Sequence, residues 1–128
     1  MGVSFVKYML LIYANEGMLT DDVREPCYRE STQLAFDLHA AGKFVSAAPL
    51  HPTSAATSVR VRESKRLVTD GPFAETHEQL GGFFMVDAAD LDEAISIAAK
   101  IPMARSGTVE VRPVVELPGL PQGADQAP

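Results

Sequence analysis

A continuous apolar run near the start of the chain, YMLLIYA at residues 8–14, constrains the fold more than any other feature. The run is followed by Asn15 and Glu16, so its seven residues have the length of a strand. They fall far short of the roughly 20 residues that cross a bilayer. A run of this kind predicts a central β-strand covered on both faces. Because it also lacks a basic leader, we predict neither a signal peptide nor a membrane partner.

Two predicted helices follow the chain's apolar periodicity. Thr20 followed by Asp21 and Asp22 is typical of a helix start. Because Pro26 interrupts this segment, the main helix is predicted over residues 26–41, with Pro26 in its first turn and Gly42 just after its end. The second begins after an N-cap at Asp90, with Glu93 completing a capping box, and stops at Pro102. Strands are predicted on both sides of each helix, at residues 8–14, 44–50, 82–88 and 108–116.

Two alternating runs lie between the second and third of these strands, at residues 58–62 and 66–70. With a three-residue connection they predict a β-hairpin whose exposed basic face carries Arg60 and Arg62. The whole order is β-α-β, hairpin, β-α-β, which is typical of an α+β, ferredoxin-like (split βαβ) fold with an inserted β-hairpin. Two helices cover only one face of such a sheet, so we expect a second copy to cover the other, giving a homodimer.

Composition restricts the class of partner. The 128 residues carry 17 acidic against 11 basic side chains, a net charge of −6, which argues against nucleic acid and anionic membranes as partners. The single cysteine, Cys27, excludes an internal disulfide and predicts a cytoplasmic location. The Pro- and Gly-rich end of the chain predicts a disordered tail over 118–128, after one folded domain over 1–117.

A long motif in the middle of the chain resembles a known family. It reads DGPF at residues 70–73, then AET, then EQLGGF at 78–83, with further matches in YMLLIYA, TSVRVR and GTVEVRPV. These segments look like the YCII-related family, and within it the DGPF subgroup, over about residues 6–115. The resemblance implies ferredoxin-like subunits that assemble as a dimeric α/β barrel.

The resemblance implies little chemistry. A His–Asp pair in a cleft has been suggested as the active site of the wider group, and some DGPF relatives accompany alternative sigma factors. This chain departs from the His–Asp pattern, because its first predicted helix carries Tyr28, Ser31 and Gln33, with His39 only near the end.

Asp70 and His51 are the candidate catalytic residues. Asp70 stands between an apolar strand and a tight turn, where burial or a charged partner would shift its pKa and suit it to act as a general base. The alternative is an Asx-turn acceptor that only shapes the turn. His51 follows a strand and suits a proton shuttle, or it is an exposed loop histidine before Pro52.

Five further residues are candidates for contacting a substrate. Ser31 and Ser46 are polar positions on otherwise apolar faces, which either line a pocket or bond the backbone. Phe73 is the aromatic residue best placed to form a pocket wall. Glu75 either does acid/base work with the neighbouring Glu78, or caps the turn, or pairs with Arg60 or Arg62 of the hairpin. No cluster has metal-ligand spacing, and we predict neither a metal nor a cofactor.

The leading hypothesis is a homodimer that binds a small organic ligand in a cleft around Asp70, with cofactor-free proton transfer as its possible reaction. The alternative is a non-enzymatic binding or regulatory module, in which the DGPF turn shapes the fold and the dimer. That module would act in a sigma-factor or stress pathway. A third hypothesis is a protein–protein adaptor that uses the acidic surface.

Overall fold

The computed structural model describes residues 4–121. Its six strands are β1 (Val6–Ala14), β2 (Phe44–Pro49), β3 (Thr57–Arg62), β4 (Lys65–Asp70), β5 (Gln79–Ala88) and β6 (Thr108–Pro113). Its two α-helices are α1 (Asp21–Ala40) and α2 (Leu91–Ala98). Short 3₁₀ turns occur at Glu16–Met18, Thr53–Ala55 and Pro102–Arg105.

Four strands form one antiparallel sheet in the order β2-β5-β1-β6. β1 is central, as its apolar sequence predicts: Leu10 pairs with Phe84 of β5 on one side and with Val111 of β6 on the other. This order, with two helices, is consistent with a ferredoxin-like α+β fold.

The core lies between this sheet and the helices. Alternate residues of the two central strands point into it, and Leu10 and Val86 are fully buried. The second half of α1 adds Leu34 and Leu38 to the same cluster. The part contributed by α2 consists of Ala94, Ile97 and Ala98, with Ile101 just beyond the helix.

The helix start predicted at Thr20–Asp22 is confirmed, and the placement of the main helix from Pro26 is corrected, because one helix runs through both. The helix begins at Asp21, because the Thr20 carbonyl accepts the first intrahelical bond, from Arg24 N–H at 2.8 Å, and Asp21 and Asp22 favour the positive end of the helix dipole. Pro26 therefore lies in the second turn, on an exposed face where water can solvate the unpaired carbonyl.

The end of α1 is confirmed at Gly42. Its φ of +75° is the left-handed conformation that favours glycine. The following Lys43 N–H donates to the Leu38 carbonyl at 2.9 Å, and Gly42 N–H donates to His39 at 3.0 Å, which is the Schellman arrangement. The helix consequently turns directly into β2.

The cap of α2 is also confirmed. The Asp90 carboxylate accepts the Glu93 N–H at 2.9 Å. The Glu93 carboxylate reaches back to the Ala89 N–H at 2.7 Å, one residue earlier than the capping box predicts, and also pairs with Lys43. The hydrogen bonds from Lys43 and Ala89 lower the pKa of Glu93 below its ordinary value of 4.5.

β3 and β4 pair with each other as a separate two-stranded sheet between β2 and β5 in the chain. Their connection has two residues, Glu63 and Ser64, and not the predicted three, since both adopt positive φ (51° and 64°) as a type I′ turn requires. Apart from the half-buried Ser58, every residue of the two strands is exposed. This hairpin therefore stands away from the core.

Other predicted boundaries shift by a few residues. β5 starts at Gln79 instead of residue 82, because Gln79 and Leu80 still pair with β1 across a register shift. β6 ends at Pro113 instead of residue 116. In the predicted tail, residues 118–121 contain neither helix nor strand. The remainder of the tail, residues 122–128, lies outside the described residues.

The second face of the sheet is apolar at its centre. Met9 and Leu11 of β1 lie beside Met85 and Phe83 of β5, and all four are half-buried. We call these four residues the open face. In residues 4–121 both helices pack against the opposite face. Within these residues, β1 is therefore covered by helices on one face only, and its coverage on both faces stays a prediction.

Candidate functional site

A cleft of about 280 Å³ lies between residues 24–35 of α1 and the sheet. It extends from the end of β1, across β2 and the start of β5, to the loop that follows β2. Its apolar lining consists mainly of Ile12, Leu19, Phe44, Leu50, Leu80, Phe84, Ile101 and Met103.

The sequence explains why a gap exists here. The two buried residues of α1, Leu34 and Leu38, both belong to its second half, so its first turns are not packed into the core. The sheet below them presents Ala14, Ala47 and Gly82, which are too small to reach the helix. Tight packing would need larger side chains at these positions, and the space between helix and sheet stays open.

Gly82 also sets how closely the strands approach. A Cβ at this position would lie 2.9 Å from the Ala48 carbonyl oxygen and 3.2 Å from Pro49 Cα. Any side chain here would therefore push β2 away from β5, and the glycine lets the two strands pair closely without a side chain that would project into the cleft.

The polar groups of the cleft come from α1, from the turn after β1 and from the loop after β2. Arg24, Tyr28 and Ser31 lie at i, i+4 and i+7 on one face of α1, and they form one wall. Glu16 and His51 lie at the other side of the cleft, after β1 and β2 respectively. The cleft thus has a hydrophobic body with a few convergent polar groups, as small-molecule sites do.

Glu16 holds the His51 loop in place. Its carboxylate accepts the Thr53 N–H at 3.0 Å and the Thr53 hydroxyl at 3.1 Å. Its own N–H donates to Gln79 Oε1 at 2.9 Å. These bonds tie the segment after β2 to the end of β1 and the start of β5, so the loop that carries the exposed His51 is anchored at Thr53 by a charge-assisted network.

A second contact fixes α1 over the cleft. Arg105, in the 3₁₀ turn after α2, donates to both carboxylate oxygens of Glu30 at 3.0 Å. These hydrogen bonds lower the pKa of Glu30 and raise that of Arg105. The fork geometry of arginine makes this pair directional, so α1 is held at its middle as well as at its packed second half.

Comparison with known proteins identifies the family. A family model for the YCII-related domain matches residues 6–118. The chain belongs to the YCII-related family. It is also 39% identical over 116 residues to an uncharacterized protein of Rhizobium meliloti (strain 1021), a match that covers 84% of this chain and 90% of that one.

The YCII-related fold brings only two of the predicted site residues to the cleft. Ser31 lines it from α1, where it is half-buried, and His51 lines it from the loop after β2. Ser46 lies on the other side of the sheet, opposite Met85.

The remaining predicted site residues lie near the hairpin. Asp70, at the end of β4, is exposed and pairs with Thr57; it lines neither the cleft nor the second cavity described below. Arg60 is exposed on the hairpin, and Phe73 is 80% exposed. The predicted Glu75–Arg60 pair does not occur among the ion pairs of the described residues.

A second cavity, of about 320 Å³, adjoins the DGPF turn. It is lined by Glu75, Thr76, Gly71 and Pro72, together with Thr53, Ser54 and Gln79. Gly71, with φ +100°, donates its N–H to the Ala56 carbonyl at 2.7 Å and accepts the Ser58 hydroxyl at 2.8 Å. The DGPF turn thus fastens the base of the hairpin.

Sequence reasoning missed Arg24 and Glu16. The signal for Arg24 was present, because its spacing to Tyr28 and Ser31 is that of one helix face, but the main helix was predicted to start after it. Glu16 lies in a short 3₁₀ turn that no sequence periodicity marks.

Residues 4–121 contain neither a cluster of metal-binding side chains nor a membrane-spanning helix. No group of three or more His, Cys, Asp or Glu side chains there is placed to hold a metal ion. None of the helices in this part of the chain is long and apolar enough to span a membrane.

Proposed function

We propose that this YCII-related protein binds a small organic molecule in the cleft between α1 and the sheet. The observation that carries the proposal is the cleft's composition: an apolar body of about 280 Å³ with Arg24, Tyr28 and Ser31 along one wall and His51 at the other side. Pockets that bind small molecules combine a mostly apolar lining with a few polar groups that orient the ligand.

We further propose that two copies pair through the open face. The four residues of this face are apolar and half-buried, and a second sheet packed at about 10 Å would remove them from water. Symmetric pairing would build the dimeric α/β barrel that the resemblance implies. Membership of the DGPF subgroup and a cytoplasmic location are part of the same proposal; they rest on the motif at residues 70–73 and on the single cysteine.

The enzymatic version of the proposal is acid/base catalysis by His51 and Asp70. The part given to His51 is supported by its position in the cleft lining, in the loop after β2. Asp70 is exposed at the base of the hairpin and does not line the cleft. That placement favours the alternative, a binding or regulatory module without turnover, of which a sigma-factor or stress pathway is the proposed context.

A ligand screen by thermal shift, with a cleft-filling variant, tests the binding proposal. Ala35 lies on α1 and lines the cleft, whereas Ala40 ends the same helix and is exposed. In Ala35→Leu the added side chain occupies part of the cleft, and in Ala40→Leu it points to water. Both changes preserve helix propensity.

We expect compounds that raise the melting temperature of the wild-type protein to do so equally in Ala40→Leu and much less in Ala35→Leu. Equal stabilisation of both variants would place the ligand elsewhere. If no compound stabilises the wild-type protein, the binding proposal is wrong.

A further inference from the structure

We infer that the cleft takes a small organic acid, whose carboxylate binds the Arg24 guanidinium and whose apolar body lies between α1 and the sheet. The inference rests on the proposed function, since it assumes that the cleft is a ligand site. It adds the chemical class of the ligand and names the residue that selects it.

Arg24 is the cationic side chain best suited to receive an anion. It lines the cleft, and its side chain is 29% exposed. The nearest carboxylate oxygen in the described chain, Asp21 Oδ1, is 3.7 Å away, beyond hydrogen-bond distance, and the Asp21 side chain is fully exposed. An ion pair of this kind contributes little, so a ligand carboxylate can replace it at small cost.

The other carboxylate of the cleft does not compete for Arg24. Both carboxylate oxygens of Glu16 accept the Thr53 N–H, and one also accepts the Thr53 hydroxyl. Asp22, also near the start of α1, is exposed and hydrogen-bonded to Thr20, and water screens its charge. The guanidinium fork of Arg24 is therefore available, and it matches a carboxylate in two parallel hydrogen bonds.

The number and spacing of the remaining groups set the ligand's size. Arg24 is the one Lys or Arg among the described residues that line the cleft, which suits a single negative charge better than a phosphate ester. The helical rise places Ser31 about 10 Å along α1 from Arg24. A volume of about 280 Å³ lies at the lower end of the range for small-molecule pockets, which begins at about 300 Å³. An acid of about ten non-hydrogen atoms fits both limits.

Matched acid and amide probes test this class on the unmodified protein. Phenylacetate and heptanoate are compared with phenylacetamide and heptanamide, which have the same shape and no charge. A charge-assisted bidentate contact predicts that each acid binds at least about tenfold more tightly than its amide. The affinity of the acids falls as salt is raised, and that of the amides does not.

Two arginines of α1 provide the matched variants. Arg24→Gln keeps a polar side chain and removes the charge, while Arg29→Gln makes the same change at an exposed position that does not line the cleft. Titration calorimetry is expected to show that Arg24→Gln abolishes the preference for acids and that Arg29→Gln retains it. The amides, which do not need the charge, bind both variants as they bind the wild-type protein.

The outcomes separate this inference from the proposed function. If amides bind the wild-type protein as tightly as acids, and Ala35→Leu weakens both, the carboxylate class is wrong while the cleft remains a ligand site. If acids keep their preference in Arg24→Gln, Arg24 is not the anion receptor and the inference is overturned. If neither acids nor amides bind the wild-type protein at millimolar concentration, the inference is overturned, and the thermal-shift screen decides the proposed function independently.

Discussion

Leu10 and Leu11 are neighbours on β1 whose side chains point to opposite faces of the sheet. Leu10 is fully buried between the sheet and the helices, and Leu11 is half-buried on the open face. The same substitution, leucine to alanine, therefore removes the same atoms from two different environments. Comparing the two variants separates the stability of the folded subunit from the stability of the proposed dimer.

The expected cost of Leu10→Ala follows from its burial. Truncating a fully buried leucine removes its transfer free energy and leaves a cavity, which together destabilise a protein by about 3–5 kcal/mol. Leu10 belongs to the core cluster to which both helices contribute, and its side chain is fully buried. The cavity left by the truncation is therefore lined by apolar groups, and water does not fill it favourably. We expect this loss to be the same at low and at high protein concentration, because the subunit itself is weakened.

Leu11→Ala is expected to act on association. If a second copy covers the open face, the substitution truncates two Leu11 side chains in each dimer, because the two-fold symmetry places one from each copy in the interface. At about 1.5 kcal/mol for each buried leucine side chain, the dimer loses about 3 kcal/mol, and its dissociation constant rises about 100-fold. The folded subunit should lose much less stability than in Leu10→Ala.

Sedimentation velocity over a range of protein concentrations measures association, and urea denaturation at two concentrations measures stability. We expect a dimeric wild-type protein, a dimeric but unstable Leu10→Ala, and a Leu11→Ala that dissociates at concentrations where the wild type does not. A wild-type protein that stays monomeric at about 100 µM would refute the reasoning. So would a Leu11→Ala dimer as tight as that of the wild type.

Three further predictions concern other parts of the molecule. Gly107→Ala should destabilise the fold by several kcal/mol in urea denaturation, because its Cβ would lie 2.2 Å from the Tyr13 carbonyl oxygen; a loss of less than about 0.5 kcal/mol would contradict this contact. Glu93→Gln should reduce stability at pH 7. The pairing with Lys43 lowers the pKa of Glu93 in the folded protein, so the stabilisation that it provides is present at pH values above the ordinary pKa of 4.5 and is lost as the pH falls through the pKa of the folded state. The stabilities of the wild-type protein and Glu93→Gln should therefore converge in acid. A difference in stability that stays constant across pH would contradict the pairing. Asp70→Asn should leave binding in the cleft unchanged, because the carboxylate is exposed and lines neither cavity; loss of binding in calorimetry would assign Asp70 to the ligand site.

Local sequence signals were sufficient to predict most of the elements. The apolar run in β1, the Gly42 end of α1 and the Asp90 cap of α2 are each recognised from a few neighbouring residues, because capping and strand burial depend on local chemistry. The acidic residues after Thr20 marked the true start of α1, but the main helix was placed from Pro26, because proline usually occupies a first turn.

The cleft could not be predicted in the same way. Arg24 and His51 are far apart in the chain, and they share one cavity only because α1 packs against β2, whose following loop carries His51. The gap itself arises from small residues, Ala47 and Gly82, on strands that become neighbours only in the sheet.

By itself, then, the sequence determined an acidic α+β chain with two capped helices, a central apolar strand and a hairpin, since each depends on residues close together in the chain. The tertiary structure decided that Asp70 is exposed on a projecting hairpin while Arg24 and His51 face a common cleft. The physical reason is that exposure and cavities depend on which side chains from distant elements fill the same space, and here small side chains leave that space open.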